Sequence, residues 1–212
     1  MTSALTDLLN ESRQLGFLGP GPIEPHLIHA SAFAAVVAEP PARALDLGAG
    51  GGLPGLVLAV TAWPETTWTF VDAQRKRTDF LRRAVQVLGL EPRVTVVTER
   101  AEEVARSADH RGRYDLVVAR SFGAPAVVAE CAAPLLHDGG WLVVSEPPAA
   151  STAPDGGDRW PQAGLASLGL GPAEIVLVDG LHPAHLARIP RLGPDDPRYP
   201  RRVGIPTKRP LF

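Results

Sequence analysis

Apolar residues in this chain fall into short blocks, and the spacing between the blocks changes along its length. Residues 43–47, 67–72, 93–98, 114–119, 140–145, 173–178 and 185–190 are blocks of strand length. Between the earlier blocks, at 54–62, 74–89, 101–107 and 124–136, the pattern is helical. Strands that alternate with helices imply βαβ units and a mainly parallel sheet, with right-handed crossovers placing helices on both faces. The last two blocks are joined by only residues 179–184, too few for a crossover, so antiparallel pairing is expected there. The pattern predicts an α/β fold of Rossmann-like build: a seven-stranded, mostly parallel sheet with one antiparallel strand.

Ahead of the first strand, residues 2–15 carry a helical pattern with Leu5, Leu8, Leu9 and Leu15 on one face. A Gly/Pro-rich loop follows, and a second helix is expected over residues 25–38, ending before Pro40 and Pro41. Residues 1–40 are therefore expected to form a small helical cap, 41–195 the α/β domain, and 196–212 a tail. The Pro/Gly-rich stretch 147–164 is expected to be loop.

Composition narrows the picture only a little. The 212 residues are 45% hydrophobic and 21% charged, ordinary for one globular core. A net charge of −2 means that any nucleic-acid contact must come from a local patch. The single cysteine, Cys131, excludes an internal disulfide and a thiolate zinc cluster, and it reads as small core filler. No third ligand accompanies His26 and His29 at metal spacing, so no metal is expected. No apolar run is long enough to span a bilayer and no secretion signal opens the chain, so a cytoplasmic protein is expected.

The chemistry gathers around residues 44–55, Ala-Leu-Asp-Leu-Gly-Ala-Gly-Gly-Gly-Leu-Pro-Gly. A strand runs into a glycine cluster and then a helix, the build of a nucleotide-binding turn. Gly48, Gly50 and Gly52 alternate after Asp46, which departs from the G-x-G-x-x-G phase of dinucleotide sites. D-x-G-x-G after a strand resembles the binding loop of S-adenosylmethionine (SAM) methyltransferases. Asp46 is placed to orient the turn and to reach a cationic ligand group through water. Asp72, at the end of the second strand and followed by Ala73, is placed to accept both ribose hydroxyls of an adenosine. Ala101 and Glu102, after the third strand, are candidates to meet adenine. The fourth strand delivers Arg120 and Ser121 to the sheet's carboxyl edge, where open α/β sheets bind ligands. There Arg120 could pair with a ligand carboxylate, a phosphate or a purine edge. His26 and His29, three apart on the second helix, could border the pocket. Arg198, Arg201, Arg202, Lys208 and Arg209 make a positive strip suited to phosphate contacts.

Taken together these segments resemble the bacterial 16S ribosomal RNA (guanine-N7) methyltransferase family, RsmG or GidB. The resemblance rests on Leu18-Gly-Pro, Asp46 to Gly55, Lys76-Arg77 with Phe80-Leu81, Arg100 to Glu103, Ala119 to Phe122, and Tyr199 to Lys208. It implies SAM as cofactor and 16S ribosomal RNA, or the small ribosomal subunit, as partner. By resemblance, the loop with Gly48, Ala49, Gly50 and Leu53 would line the SAM site together with Asp72, Ala73, Ala101, Glu102 and Arg120. Arg120 would lie between cofactor and guanine as a positioning group, and His26 would help build the pocket. Pro25 and His29 stand where the family carries arginine and an acid or amide, and Glu146 stands where it carries lysine. These changes leave open a divergent SAM-dependent enzyme acting on a small molecule or another RNA, or a binding protein without catalysis. Purine N7 carries no proton, so no general base is expected. The N7-methylated product is cationic, a charge that a carboxylate such as Glu146 could offset.

Overall fold

A computed structural model describes residues 3–147 and 158–212. Two helices open it, α1 (Ser3–Gln14) and α2 (Glu24–Ala35). The alternating part then runs β1 (Arg43–Leu47), α3 (Gly55–Thr61), β2 (Thr67–Asp72), α4 (Arg75–Val87), β3 (Val94–Thr98), α5 (Ala101–Val104), β4 (Tyr114–Ala119) and α6 (Pro125–Ala132). A 3-10 turn leads into β5 (Leu136–Glu146), followed by α7 (Gln162–Ser167), β6 (Glu174–Val178), β7 (Ala184–Pro190) and α8 (Ile205–Lys208). The seven strands lie in the order β3-β2-β1-β4-β5-β7-β6. All pair in parallel except β7, which is antiparallel to both neighbours.

Alternation along the strands divides the core between two faces. Trp68, Phe70, Leu116 and Val118 point to one face and are covered by α1 to α4. Leu45, Leu47, Val117 and Ala119 point to the other, under α5, α6, α7 and the C-terminal segment. Chain order reverses between β1 and β4, so their outgoing connections part and leave a crevice at their carboxyl ends. Cys131 is buried in the second core, and burial raises its thiol well above the ordinary range.

Four features correct the pattern-based expectation. Leu15 is 51% exposed, because α1 ends at Gln14 and the chain turns at Gly16 with φ of 74°. The helix expected to reach residue 136 stops at Ala132, and β5 begins at Leu136 rather than at 140. Gly139 and Gly140 sit in an irregularity of the β4–β5 ladder. A Cβ on Gly140 would lie 3.0 Å from the Tyr114 carbonyl oxygen. Residues 162–164, expected as loop, begin α7, where buried Leu165 packs into the second core. Most of the expected loop, 148–157, lies outside the described residues.

The basic tail is docked rather than extended. Glu130, fully buried on α6, accepts from the backbone N–H of Arg201 at 2.7 Å. It also takes both arms of the Arg201 guanidinium, at 2.9 and 2.6 Å. Arg106 and Arg111 donate to the carbonyls of Pro200 and Tyr199. Arg201→Ala strands a buried carboxylate, and we expect it to lower stability by about 2 kcal/mol in denaturant unfolding. A loss below about 0.5 kcal/mol would mean the tail is held without this pair.

Candidate functional site at the carboxyl edge of β1 and β4

The glycine loop is fixed by two carboxylates beneath it. The N–H groups of Gly48 and Ala49 both donate to the Val71 carbonyl at 2.9 Å, which ties the end of β1 to β2. Asp46 is completely buried, and its Oδ2 accepts from the Gly55 N–H at 2.8 Å, pinning the start of α3. Asp72 accepts from Gly50 N–H at 3.0 Å through Oδ2 and from Gln74 N–H at 2.8 Å through Oδ1. The cap contributes as well: Ser12 on α1 donates to the Gly51 carbonyl at 2.9 Å. Glycine is required at Gly48, where φ is 76° and a Cβ would lie 2.5 Å from the Phe122 ring.

Burial pushes Asp46 up to about 7; the Gly55 N–H and Arg120 oppose the rise and Asp72 adds to it. Its folded value lies above the ordinary 3.8, so the folded state holds the proton more readily than the unfolded chain does. The contribution to stability is therefore full below about pH 4 and is lost as pH rises through about 7. Asp46→Asn carries no such charge, so its Tm relative to the parent should climb between pH 4 and 7 in cofactor-free protein. A difference that stays flat with pH would refute the assignment.

Two cavities open against this loop, and a third lies beside them at the end of β4. The first, of about 390 Å³, is lined by Gly48, Asp72, Ala73, Ala101, Glu102 and Phe122 and is closed on one side by Thr207 and Pro210. The second, about 170 Å³, lies between the loop and the cap, against Phe17, His26, Ala49, Gly50, Leu53 and Arg120. The third, about 400 Å³, is lined by His29, Arg120, Ser121, Glu146, Arg159 and Trp160. Gly48 faces the first two, Arg120 the last two, and Ser121 all three. Ser121 has φ of 55°, a left-handed conformation that costs a non-glycine residue energy and marks the turn between Arg120 and Phe122.

Arg120 is held from across the fold. Its Nη2 donates to Nδ1 of His26 at 2.7 Å, so that ring nitrogen carries no proton in this arrangement. Burial, then the Arg120 charge, lowers His26; the same causes, with His26 third, push His29 down to about 4. Burial also lowers Arg120, while Asp46 opposes the shift. No ion pair joins Arg120 to Asp46 or Asp72 among the described residues. Arg120 Nη1 and Asp46 Oδ1 are buried without a protein partner.

The structure thus gathers His26, His29, Ser121 and Glu146 with the loop, and it sets Asp46 behind the loop rather than on a cavity wall. Glu102 lines the first cavity while its Oε1 accepts from the Gly204 N–H at 2.9 Å, anchoring the tail. Of the tail cations, Arg198 pairs with Asp196 and Arg201 with Glu130, whereas Arg202, Lys208 and Arg209 are exposed and make no ion pair among the described residues. Sequence reasoning did not single out Ser12, Phe17, Arg159, Trp160, Thr207 or Pro210. Most come from segments without a local motif; Thr207, inside the Tyr199 to Lys208 segment, and Phe122, inside the Arg-Ser-Phe turn, lay in stretches that carried a readable signal. No cluster of metal-ligating side chains occurs among the described residues, and no helix there is long and apolar enough to cross a membrane.

The glycine cradle, the aspartate below it and two orphaned buried polar atoms suit a ligand that carries both cationic and anionic groups beside an adenosine. With the sheet order, they define a class I SAM-dependent methyltransferase fold. Solved structures agree on the fold. An O-methyltransferase from Bacillus cereus in complex with SAH superposes with a TM-score of 0.65 at 15% identity, covering 90% of this chain and 91% of that one. TomG from Streptomyces achromogenes, an O-methyltransferase in complex with SAM, gives 0.62 at 18% identity, with 91% of each chain covered.

Sequence comparison specifies the family. The family model GidB, rRNA small subunit methyltransferase G, matches residues 20–146, and the chain belongs to that family. The ribosomal RNA small subunit methyltransferase G of Deinococcus radiodurans is 39% identical over 171 residues, covering 80% of this chain and 66% of that protein. The protein of the same name from Roseiflexus castenholzii is 37% identical over 178 residues, covering 82% of this chain and 73% of its own length. The chain thus spans about two thirds of the length of the curated relatives it matches.

Proposed function

We propose that this protein transfers a methyl group from SAM to N7 of a guanine in 16S ribosomal RNA. The observation that carries the reading is Arg120: half-buried, oriented by His26, and shared between the cofactor-side cavity and the third cavity. Asp72, Ala73, Ala101 and Glu102 would hold the adenosine, and Gly48, Ala49, Gly50, Leu53 and Arg120 the methionine end. When bound, SAM supplies a methyl already activated by its sulfonium. The protein's task is then to align the acceptor lone pair and exclude water. Guanine N7 has no proton to lose, which fits a site where His26 and His29 are held toward the neutral form and neither is coupled to a nucleophile. Arg120 offers Nη1 as a free donor toward the acceptor base, with His26 preventing the guanidinium from swinging away.

The ribosomal partner is supported by the relatives and by the exposed cations of the tail. Replacing Arg202, Lys208 and Arg209 together with alanine should weaken binding to small ribosomal subunits. It should also make the logarithmic salt dependence shallower by about two to three units. An unchanged slope would remove the tail from RNA contact. The function itself is tested by titrating SAM into the protein calorimetrically and by mass-mapping 16S RNA from a deletion strain. Saturable SAM binding and loss of one N7-methylguanine are the expected results, and an unaltered RNA map would reject the ribosomal acceptor.

A further inference from the structure

The third cavity holds a carboxylate that the mechanism above does not use. Glu146 ends β5, and its side chain is only 6% exposed. Oε2 accepts from Arg159 Nε at 2.7 Å, while Oε1 is buried with no partner among the described residues. A buried carboxylate oxygen left without a donor is costly, so its retention on a cavity wall asks for a ligand that supplies one. The indole N–H of Trp160, on the same wall, is also unpartnered.

Resting on the reading that the acceptor is guanine, we propose that Glu146 is the residue that selects guanine, by accepting hydrogen bonds from its N1–H and N2 amino group. Those two donors lie side by side on the Watson–Crick edge and match a carboxylate. Adenine presents a lone pair at N1 in the same place, and a carboxylate repels it. The other end of the base fits as well. Arg120 lines the same cavity, and its Nη1 has no partner among the described residues, which leaves it a donor for guanine O6, the atom next to N7. With the Watson–Crick edge on Glu146 and O6 on Arg120, N7 is left free for the methyl. Arg159 holds the Glu146 carboxylate and thereby acts as its positioning residue.

The test separates recognition from catalysis. Full-length protein loaded with S-adenosylhomocysteine is titrated with GMP, IMP and AMP, and the Trp160 indole N–H resonance is followed by NMR. IMP lacks the N2 amino group and AMP reverses the donor pattern at N1. GMP is expected to bind about tenfold or more tightly than either. Glu146→Gln should erase most of that preference while SAM affinity, measured by calorimetry, stays within about twofold of the parent. Equal responses to the three nucleotides, or no response to any, overturns the proposal. So does a preference for GMP that survives intact in Glu146→Gln. The parent's ranking of the nucleotides is informative even if that variant does not fold. A clear GMP preference without methylation of small ribosomal subunits would instead refute the proposed function and leave guanine recognition standing.

Discussion

Replacing Arg120 with alanine is expected to lower kcat/KM for methyl transfer by about 10²–10³-fold while the fold persists. The argument starts from what the reaction lacks. With no proton to remove, the barrier is reduced by alignment, and alignment of a planar base needs a rigid donor. Arg120 is such a donor: it leaves β4 at a strained turn, His26 fixes one arm, and the other arm has no partner among the described residues. Deleting it removes the free donor and also releases His26, so both ends of the alignment are lost. Arg120→Lys keeps the charge without the fork and should recover little activity. Single-turnover transfer to small ribosomal subunits at saturating SAM reads the effect on the chemical step. Full activity in Arg120→Ala would remove it from the reaction centre.

Gly48→Ala should weaken SAM binding by about 100-fold and lower stability by about 3 kcal/mol. Two independent costs coincide there. The backbone sits at φ of 76°, and the new methyl would lie 2.5 Å from Phe122, a ring on the wall of the first cavity. Relief requires either the ring or the loop to move, and both line the cavity proposed to take the cofactor. Gly139→Ala is the matched control: its φ of 82° imposes similar strain, with nothing within 4 Å of the added methyl. That variant should lose stability and bind SAM normally. Calorimetric titration alongside thermal melts reads both quantities. Normal SAM binding by Gly48→Ala would show that the loop is not part of the cofactor cradle.

The sheet was legible because its signal is local. Five apolar blocks with helical spacers, then two blocks joined by a short connection, already dictate the parallel sheet and the reversed β7. Asp46 was legible as the residue that orients the turn, and Asp72 as a residue at the edge of the loop, but the backbone groups that each of them holds were not. Asp72 spends its oxygens on Gly50 and Gln74, and Asp46 on Gly55, bonds that depend on how the loop folds back. The partner of Arg120 lies 94 positions away, and no periodicity encodes such a distance. The tail shows the limit most plainly. Its five cations read as one positive strip, whereas buried Glu130 and Glu102 bind it down through Arg201 and Gly204. Charge counting could not show which cations face solvent and which neutralise a carboxylate inside.

The position of Thr207 and Pro210 on the wall of the first cavity has a consequence for biosynthesis. The glycine loop is translated ahead of that wall and can form its turn as soon as β2 follows it. The wall opposite arrives about 150 residues later, and its anchors on Glu102 and Glu130 close contacts 102 and 71 residues apart in the chain. A nascent chain with its sheet complete through β7 therefore has a cradle but an open cavity. The cavity should therefore gain its second wall in one step, when Glu130 and Glu102 capture Arg201 and Gly204, rather than gradually as the sheet grows.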